Sequence, residues 1–323
     1  MYIMRVVVAG GGVAGLYFTS QLLRLVPSAS VYLVDPKPVH EFAIGIPIAI
    51  AGLVDFHNLL YPFERLKRIT YVKATAAAVE NRCIRTREGP PRLCGDYVVL
   101  APGGLKLGSV EYWTVRGAEE LLQEARRAGA IRFVVNELTP VTGFQEIAYS
   151  LKARFPEKEV SIHIVYIGDD YKFLLEPWRE QASKIGIVIN EEPPPPKRPG
   201  ELHLSVPVLR PHPLATQLEV DPVTFETQFD RVFLIGDSSL VKLGLPPIGW
   251  GALWQASTLA RALAQEATAG VFEVDAADWI AAGDRERFLR WLTYRMTAGT
   301  PLAHLKGLYD LWIGSVIRPL SGE

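Results

Sequence analysis

One turn constrains this chain more than any other feature. The apolar run Val6-Val7-Val8-Ala9 leads into Gly10-Gly11-Gly12-Val13-Ala14-Gly15, an apolar stretch follows, and a second run, Val31-Tyr32-Leu33-Val34, ends at Asp35. A Gly-x-Gly-x-x-Gly pattern alone is weak. Here it follows a strand, opens a helix and is trailed by an acid twenty positions after its last glycine, the context of a dinucleotide-binding βαβ unit. The glycines allow a tight turn and a close backbone approach to a pyrophosphate, and the helix start offers free N–H groups and a positive dipole end. Asp35 is placed to accept from ribose hydroxyls. The cofactor-binding candidates here are Gly10, Gly12, Val13, Ala14, Gly15 and Asp35, with Pro36, Lys37 and Val79 grouped beside them.

Two later segments bear on which dinucleotide this is. Asp96 to Gly104 read as a buried strand ending in Ala101-Pro102-Gly103-Gly104, and Thr227 to Asp237 as another ending in Gly236-Asp237. With the first turn, these resemble the motifs of the two-dinucleotide-binding-domain flavoproteins, the pyridine nucleotide-disulfide oxidoreductase superfamily. The resemblance implies FAD, with Gly236 and Asp237 at its ribityl–phosphate arm and Ala101, Pro102 and Gly103 closing the site. Pro102 stands where that family usually has threonine. Ile248 and Gly249 then open a helix whose N-terminus in the family faces the flavin, with Trp250 and Trp254 as candidates to flank the ring. The segment His40-Glu41-Phe42…Pro47…Gly52 is expected to pass it.

The fold expected is α/β, with two Rossmann-like, glutathione-reductase-type domains, the second inserted in the first, and a helical C-terminal extension. The FAD domain is placed at 1–108 and 223–270, the insert at 109–222 and the extension at 271–323. Helices are expected over His57–Lys67, Ala118–Ala128, Gly143–Arg154 and Ala252–Ala264, and an antiparallel meander between Ile69 and Tyr97.

The insert repeats the strand–helix plan without its glycines. After Phe133-Val134-Val135 the chain reads Asn136-Glu137-Leu138-Thr139-Pro140-Val141-Thr142-Gly143, so only Gly143 remains. Side chains stand where backbone must approach a pyrophosphate, and Glu137 adds like charge, which disfavours NADH in the usual mode. Thr139 and Thr142 are candidate helix caps, and Asp169-Asp170 follow the next strand. An intact first site beside an altered second one resembles sulfide:quinone oxidoreductase and the flavocytochrome c sulfide dehydrogenase flavin subunit, and the chain as a whole resembles the sulfide:quinone oxidoreductase and type II NADH dehydrogenase group. Those sulfide enzymes act through cysteines beside the flavin. Cys83 and Cys94 lie instead in the meander, across the turn Glu88-Gly89-Pro90-Pro91. A disulfide between them is conceivable, but two reduced cysteines are the expectation, since intracellular disulfides are rare outside hyperthermophiles.

Glu146 matches by position a helix glutamate that in the quinone-reducing families points toward flavin and quinone, and is the catalytic candidate; the bland reading is an exposed helix residue. The resemblance implies an oxidoreductase passing electrons from an unidentified donor through non-covalent FAD to a quinone or similar acceptor. Two other readings stay open: an NAD(P)H dehydrogenase with an atypical nucleotide site, and a flavin-bearing docking subunit that turns over no small donor.

Composition narrows the setting. The 323 residues are 49% hydrophobic and 21% charged with net charge −1, which fits an ordered globule and gives no basic footprint for nucleic acid. With no leader read at the start, a cytoplasmic protein is expected, possibly peripheral on the cytoplasmic face of a membrane. Few Cys and Met with abundant Pro hint at a thermophile. Near the end, Leu305, Leu308, Tyr309, Trp312, Ile313 and Val316 form an amphipathic stripe. Such a helix packs on its own protein, docks on a membrane, or joins two copies or a redox partner.

Overall fold

The computed structural model describes residues 3–107, 112–137, 143–169, 172, 175–245, 247–274 and 301–323. Strand β1 (Arg5–Ala9) runs into helix α1 (Val13–Leu25) and returns as β2 (Ser30–Asp35). A short antiparallel pair follows, β3 (Val39–Glu41) with β4 (Leu60–Pro62), separated by helix α2 (Ile46–Ile50). The helix expected over His57–Lys67 is absent. Two 3-10 turns, Phe56–Leu59 and Phe63–Arg65, flank β4 instead, because Pro62 has no N–H to give and its ring excludes a helix interior. Next come β5 (Thr70–Lys73) and the meander β6 (Thr75–Glu80), β7 (Cys83–Arg87) and β8 (Arg92–Cys94). Cys83 and Cys94 are directly opposite in the β7–β8 pair and are joined as a disulfide, against the expectation of two free thiols: register, which sequence alone did not supply, brings their Cα atoms to 4.1 Å.

Strands β9 (Tyr97–Leu100) and β10 (Gly104–Leu107) lead to the inserted unit: α3 (Val115–Arg127), β11 (Ala130–Glu137), α4 (Phe144–Arg154), β12 (Glu159–Ile167), α5 (Leu175–Lys184), β13 (Val188–Asn190) and β14 (Glu201–Ser205). The chain comes back along β15 (Val208–Pro211), antiparallel to β10, then β16 (Val232–Leu234), α6 (Asp237–Lys242) and α7 (Gly249–Ala269). The tail is α8 (Pro301–Trp312), a π-helical turn Ile313–Ile317 and α9 (Arg318–Ser321).

The first sheet is wholly parallel, in the order β16-β9-β1-β2-β5. Val6, Val7 and Val8 are fully buried, as a strand covered on both faces requires. Alternation divides them: Val6 and Val8 join the core beneath α1 and α7, while Val7 and Ala9 meet Ile84 and Leu93 of the meander. The second sheet, also parallel, runs β13-β12-β11-β14. Ile131, Phe133 and Val135 of β11 enter the core. On its other face Arg132 is held by Glu159 at 2.7 Å and Glu201 at 3.2 Å.

The tail's stripe packs on the chain itself. Leu308, Trp312, Val316 and Leu320 are buried in the main core, and Trp312 stacks on Phe42 at 4.7 Å. Among the described residues no helix is long and apolar enough to cross a membrane.

Candidate functional site

The ends of β1, β2, β9 and β16 and the starts of α1, α4 and α7 converge on a cavity of about 530 Å³. It joins the motifs that the sequence holds apart. Gly10, Gly12, Val13, Ala14, Asp35, Pro36 and Lys37 line it from the first unit. Ala101, Pro102 and Gly103 line it from the end of β9, and Gly236, Asp237, Ile248 and Gly249 from the returning chain. Glu146 lines it from the insert. Gly15 and Val79 are outside the lining. Gly15 lies one layer below, where a Cβ would overlap the Gly10 carbonyl oxygen, so its role is to let α1 approach the turn. Val79 packs in the core between sheet and meander; Thr75 and Ala76, nearer the start of β6, line the cavity instead.

Local geometry accounts for the glycines. Gly10 has φ +113°, and a Cβ there would overlap the Ala101 carbonyl, so backbone of two strands touches at this point. Gly236 has φ +81°, and its added Cβ would stand 3.0 Å from that of Ala14. A Cβ on Gly12 or Gly103 would meet nothing within 4 Å and would project into free space. Asp35 ties the turn to β2: its Oδ2 accepts from Gly11 N–H at 2.7 Å and its Oδ1 from Lys37 N–H at 2.8 Å.

Among the described residues the N-cap side chains of α1, α4 and α7 make no cap hydrogen bond, and the positive dipole ends of three helices meet at one cavity. Burial pushes the Asp237 carboxyl up, with the nearby Lys106 charge opposing the rise. Glu146 is buried rather than exposed, and burial pushes its carboxyl up to about 7. Gln145 Nε2 donates to its Oε1 at 3.5 Å, while Oε2 has no partner among the described residues. The walls at this end are apolar: Ala43, Ile44, Pro47, Trp113, Trp250 and Leu308. Of the two tryptophans expected at a ring, Trp250 lines the cavity, whereas Trp254 packs edge-on against Phe225 at 5.5 Å. Of the expected passing segment, Glu41 and Pro47 line it, but Gly52 lies against Arg154.

Some participants carried no sequence signal. Gln255, fully buried in α7, accepts from Gly236 N–H at 2.8 Å and donates to Ser239 Oγ at 2.9 Å, fixing the second turn. Ser238 Oγ donates to the Gly103 carbonyl and accepts from His212 N–H at 2.8 Å, locking the β9 end to the Gly236–Asp237 turn. Trp113 carries no such signal either, and Leu308 reads only as part of the tail's amphipathic stripe.

At the insert's turn, residues 138–142, with Thr139 and Thr142, lie outside the described residues. Gly143 is pressed by Trp113, whose Cη2 is 2.6 Å from where a Cβ would stand. Asp169, after β12, is exposed and paired with Lys172 at 2.6 Å; Asp170 lies outside the described residues.

No protein-family model and no curated protein matches the chain. Solved structures do. An NAD-dependent persulfide reductase from A. fulgidus matches with TM-score 0.60 and 19% identity, over 81% of this chain and 59% of that one. The sulfide:quinone oxidoreductase from Aquifex aeolicus matches with TM-score 0.61 and 16% identity, over 82% and 77%. The NADH:rubredoxin oxidoreductase from Clostridium acetobutylicum matches with TM-score 0.59 and 13% identity, over 85% and 78%. This chain thus has the two-dinucleotide-binding-domain fold of these flavoproteins, and spans 59% of the persulfide reductase's length.

Proposed function

We propose that the chain is an FAD-dependent oxidoreductase, passing electrons from a donor yet to be identified, through non-covalently held FAD, to a quinone or similar acceptor. The observation that supports this best is the single cavity joining the Gly10–Gly15 turn, Asp35, the Gly236–Asp237 turn and the start of α7, with one protonatable carboxyl at its far end. The residues fit FAD. The N–H groups at the start of α1 suit a pyrophosphate, Asp35 keeps acceptor lone pairs for ribose hydroxyls, and Asp237, lining the same cavity, would hold the ribityl arm. Gly12 and Gly103 leave open the space that a side chain would fill. Bound here, FAD would supply two-electron acceptance and stepwise release.

The protein's own part is proton handling and exclusion of water. Glu146, at about 7, is poised at neutral pH to give or take a proton, and a quinone becomes a hydroquinone only by taking up protons. Its Oε2 has no partner among the described residues, and it shares the cavity with apolar walls that suit a flat, uncharged ring. The α7 N-terminus, uncapped, would favour negative charge on a reduced ring. Two named neighbours use NADH or NAD, yet here Trp113 crowds the one glycine left at the second turn, which favours a donor other than NADH.

The test is to purify the chain, confirm flavin by absorbance, and mix it anaerobically with NADH, NADPH and sulfide in parallel, then with a soluble quinone after chemical reduction. Flavin reoxidised by quinone at a catalytic rate is the expected result. A flavin bleached rapidly by NADH would support the atypical pyridine-nucleotide reading. Bound flavin that neither reacts with donors nor is reoxidised by quinone would support the docking-subunit reading.

A further inference from the structure

The C-terminal helix reaches the dinucleotide turn through one buried histidine. His40 on β3 is 1% exposed, and its Nδ1–H donates to the Gly11 carbonyl at 2.8 Å. The carbonyl can only accept, so Nδ1 carries the proton. Burial, which lowers His40 to about 4, keeps the ring neutral. The ring stacks on Tyr61 at 6.1 Å and on Trp312 of α8 at 5.2 Å. Trp312 is itself fixed. It stacks on Phe42 and Tyr17, and the π turn after it is tied down where Ser20 Oγ donates to the Ser315 carbonyl at 2.6 Å.

The consequence lies in the peptide that joins Gly11 to Gly12. In a trans peptide the C=O and the following N–H point in opposite directions. Drawing the Gly11 oxygen toward His40, away from the cavity, turns the Gly12 N–H the other way. Gly12 lines the cavity with open space at its Cα. Asp35 holds the preceding N–H, so the Gly11 unit is gripped at both ends.

We infer that His40 is a positioning residue that aims the Gly12 N–H at the cofactor pyrophosphate, and that the C-terminal helix, through Trp312, is the strap that holds it there. This rests on the dinucleotide reading of the cavity. It makes the tail part of the binding site rather than an appendage.

The test compares FAD release from full-length holoprotein of wild type, His40→Leu, His40→Asn and Trp312→Leu, read by the rise in free-flavin fluorescence, with apoprotein melting followed in parallel. The Asn side chain carries an N–H close to where Nδ1–H stands. His40→Leu, which leaves a buried carbonyl unpaired, is expected to bind FAD about tenfold more weakly. His40→Asn should recover most of that loss, and Trp312→Leu should release FAD several-fold faster with His40 intact. Should His40→Leu fail to fold, the Asn and Trp312 variants carry the comparison. Wild-type release rates in both His40→Leu and Trp312→Leu, with only melting lowered, would reduce the pair to core packing and overturn the inference. A wild-type chain that takes up no FAD would overturn the reading of the cavity, and this inference with it.

Discussion

Strands β1 and β11 each run into the start of a helix, on the same plan, yet the two turns differ. At the first, backbone meets backbone: Gly10 lies against Ala101 and Gly15 against Gly10, and a cavity opens over the helix start. At the second, a tryptophan ring lies against the one surviving glycine, and the helix behind it contributes a buried carboxyl. The strands differ likewise. From Val6 to Ala9, β1 is apolar on both faces, whereas β11 carries Arg132 on one, neutralised by Glu159 and Glu201. The strand–helix unit packs in both places, because the core needs only the alternation and the helix stripe, while the usual mode of dinucleotide binding also needs bare backbone at the turn.

The largest effect should come from filling the first turn. Gly10→Val puts a β-branched side chain at φ +113° against a carbonyl, and should cost more than ~3 kcal/mol of stability along with the flavin. Gly12→Ala sharpens the point: with nothing within 4 Å of its Cβ it should keep its melting temperature and lose FAD affinity, measured by flavin titration. An equal loss of fold in both would erase the distinction drawn between packing glycine and ligand glycine.

Glu146→Gln tests what the second unit now contributes. Removing a positioned acid–base should lower quinone reduction by about 10²–10⁴-fold and abolish a pH dependence centred near 7, with FAD still bound. Unchanged turnover would return Glu146 to scaffold.

The same two regions oppose each other in pH dependence. His40, lowered from 6.5 to about 4, lets the unfolded chain bind the extra proton, so stability falls as pH drops through that window. Glu146, raised from 4.5 to about 7, binds the extra proton when folded, so stability falls as pH rises from 4.5 to 7. Each is worth about 3 kcal/mol at 1.36 kcal/mol per unit. Denaturant midpoints of the wild type should therefore change little from these two groups between about 4.5 and 6.5. Glu146→Gln should expose a steady loss on acidification, and a slope no steeper than that of the wild type would show that burial of His40 does not govern it.

The smallest effect is expected at Gln255→Leu. Freeing the Gly236 N–H in the core should cost about 1–3 kcal/mol and loosen FAD without touching the first turn. Intact affinity would show that Gly236 holds its φ +81° unaided.

Much of the site was legible because its ligands are backbone groups, and backbone that must stay bare leaves glycines in a recognisable order. Gly10, Gly12, Gly236 and Gly249 announce themselves for that reason, and Asp35 by its place at the end of the second strand. Gln255 and Trp113 do not, and His40 and Leu308 stand in segments that the sequence singles out without the partners they meet. A buried glutamine in a helix or a tryptophan before an N-cap has the local pattern of core, and only the neighbour it meets gives it a task. Val79 shows the converse: Thr75 and Ala76, three and four positions nearer the start of β6, line the cavity, while Val79 packs against the core between sheet and meander. Cys83 and Cys94 were placed on neighbouring strands by the turn between them, but register decided that they face each other.

What the sequence determined by itself, then, is what local chemistry fixes: the parallel strands from their apolar runs, the first turn from its glycines, and the second turn's lack of that glycine set. The tertiary structure decided what depends on residues far apart in the chain. It folded the tail's apolar stripe onto Phe42 and His40, offering it to the chain's own core, and it buried Glu146, whose position on α4 alone allowed either face. The reason is physical: an amphipathic helix carries the demand for a partner in its own residues, while which partner meets that demand is settled by the surface left uncovered once the rest has packed.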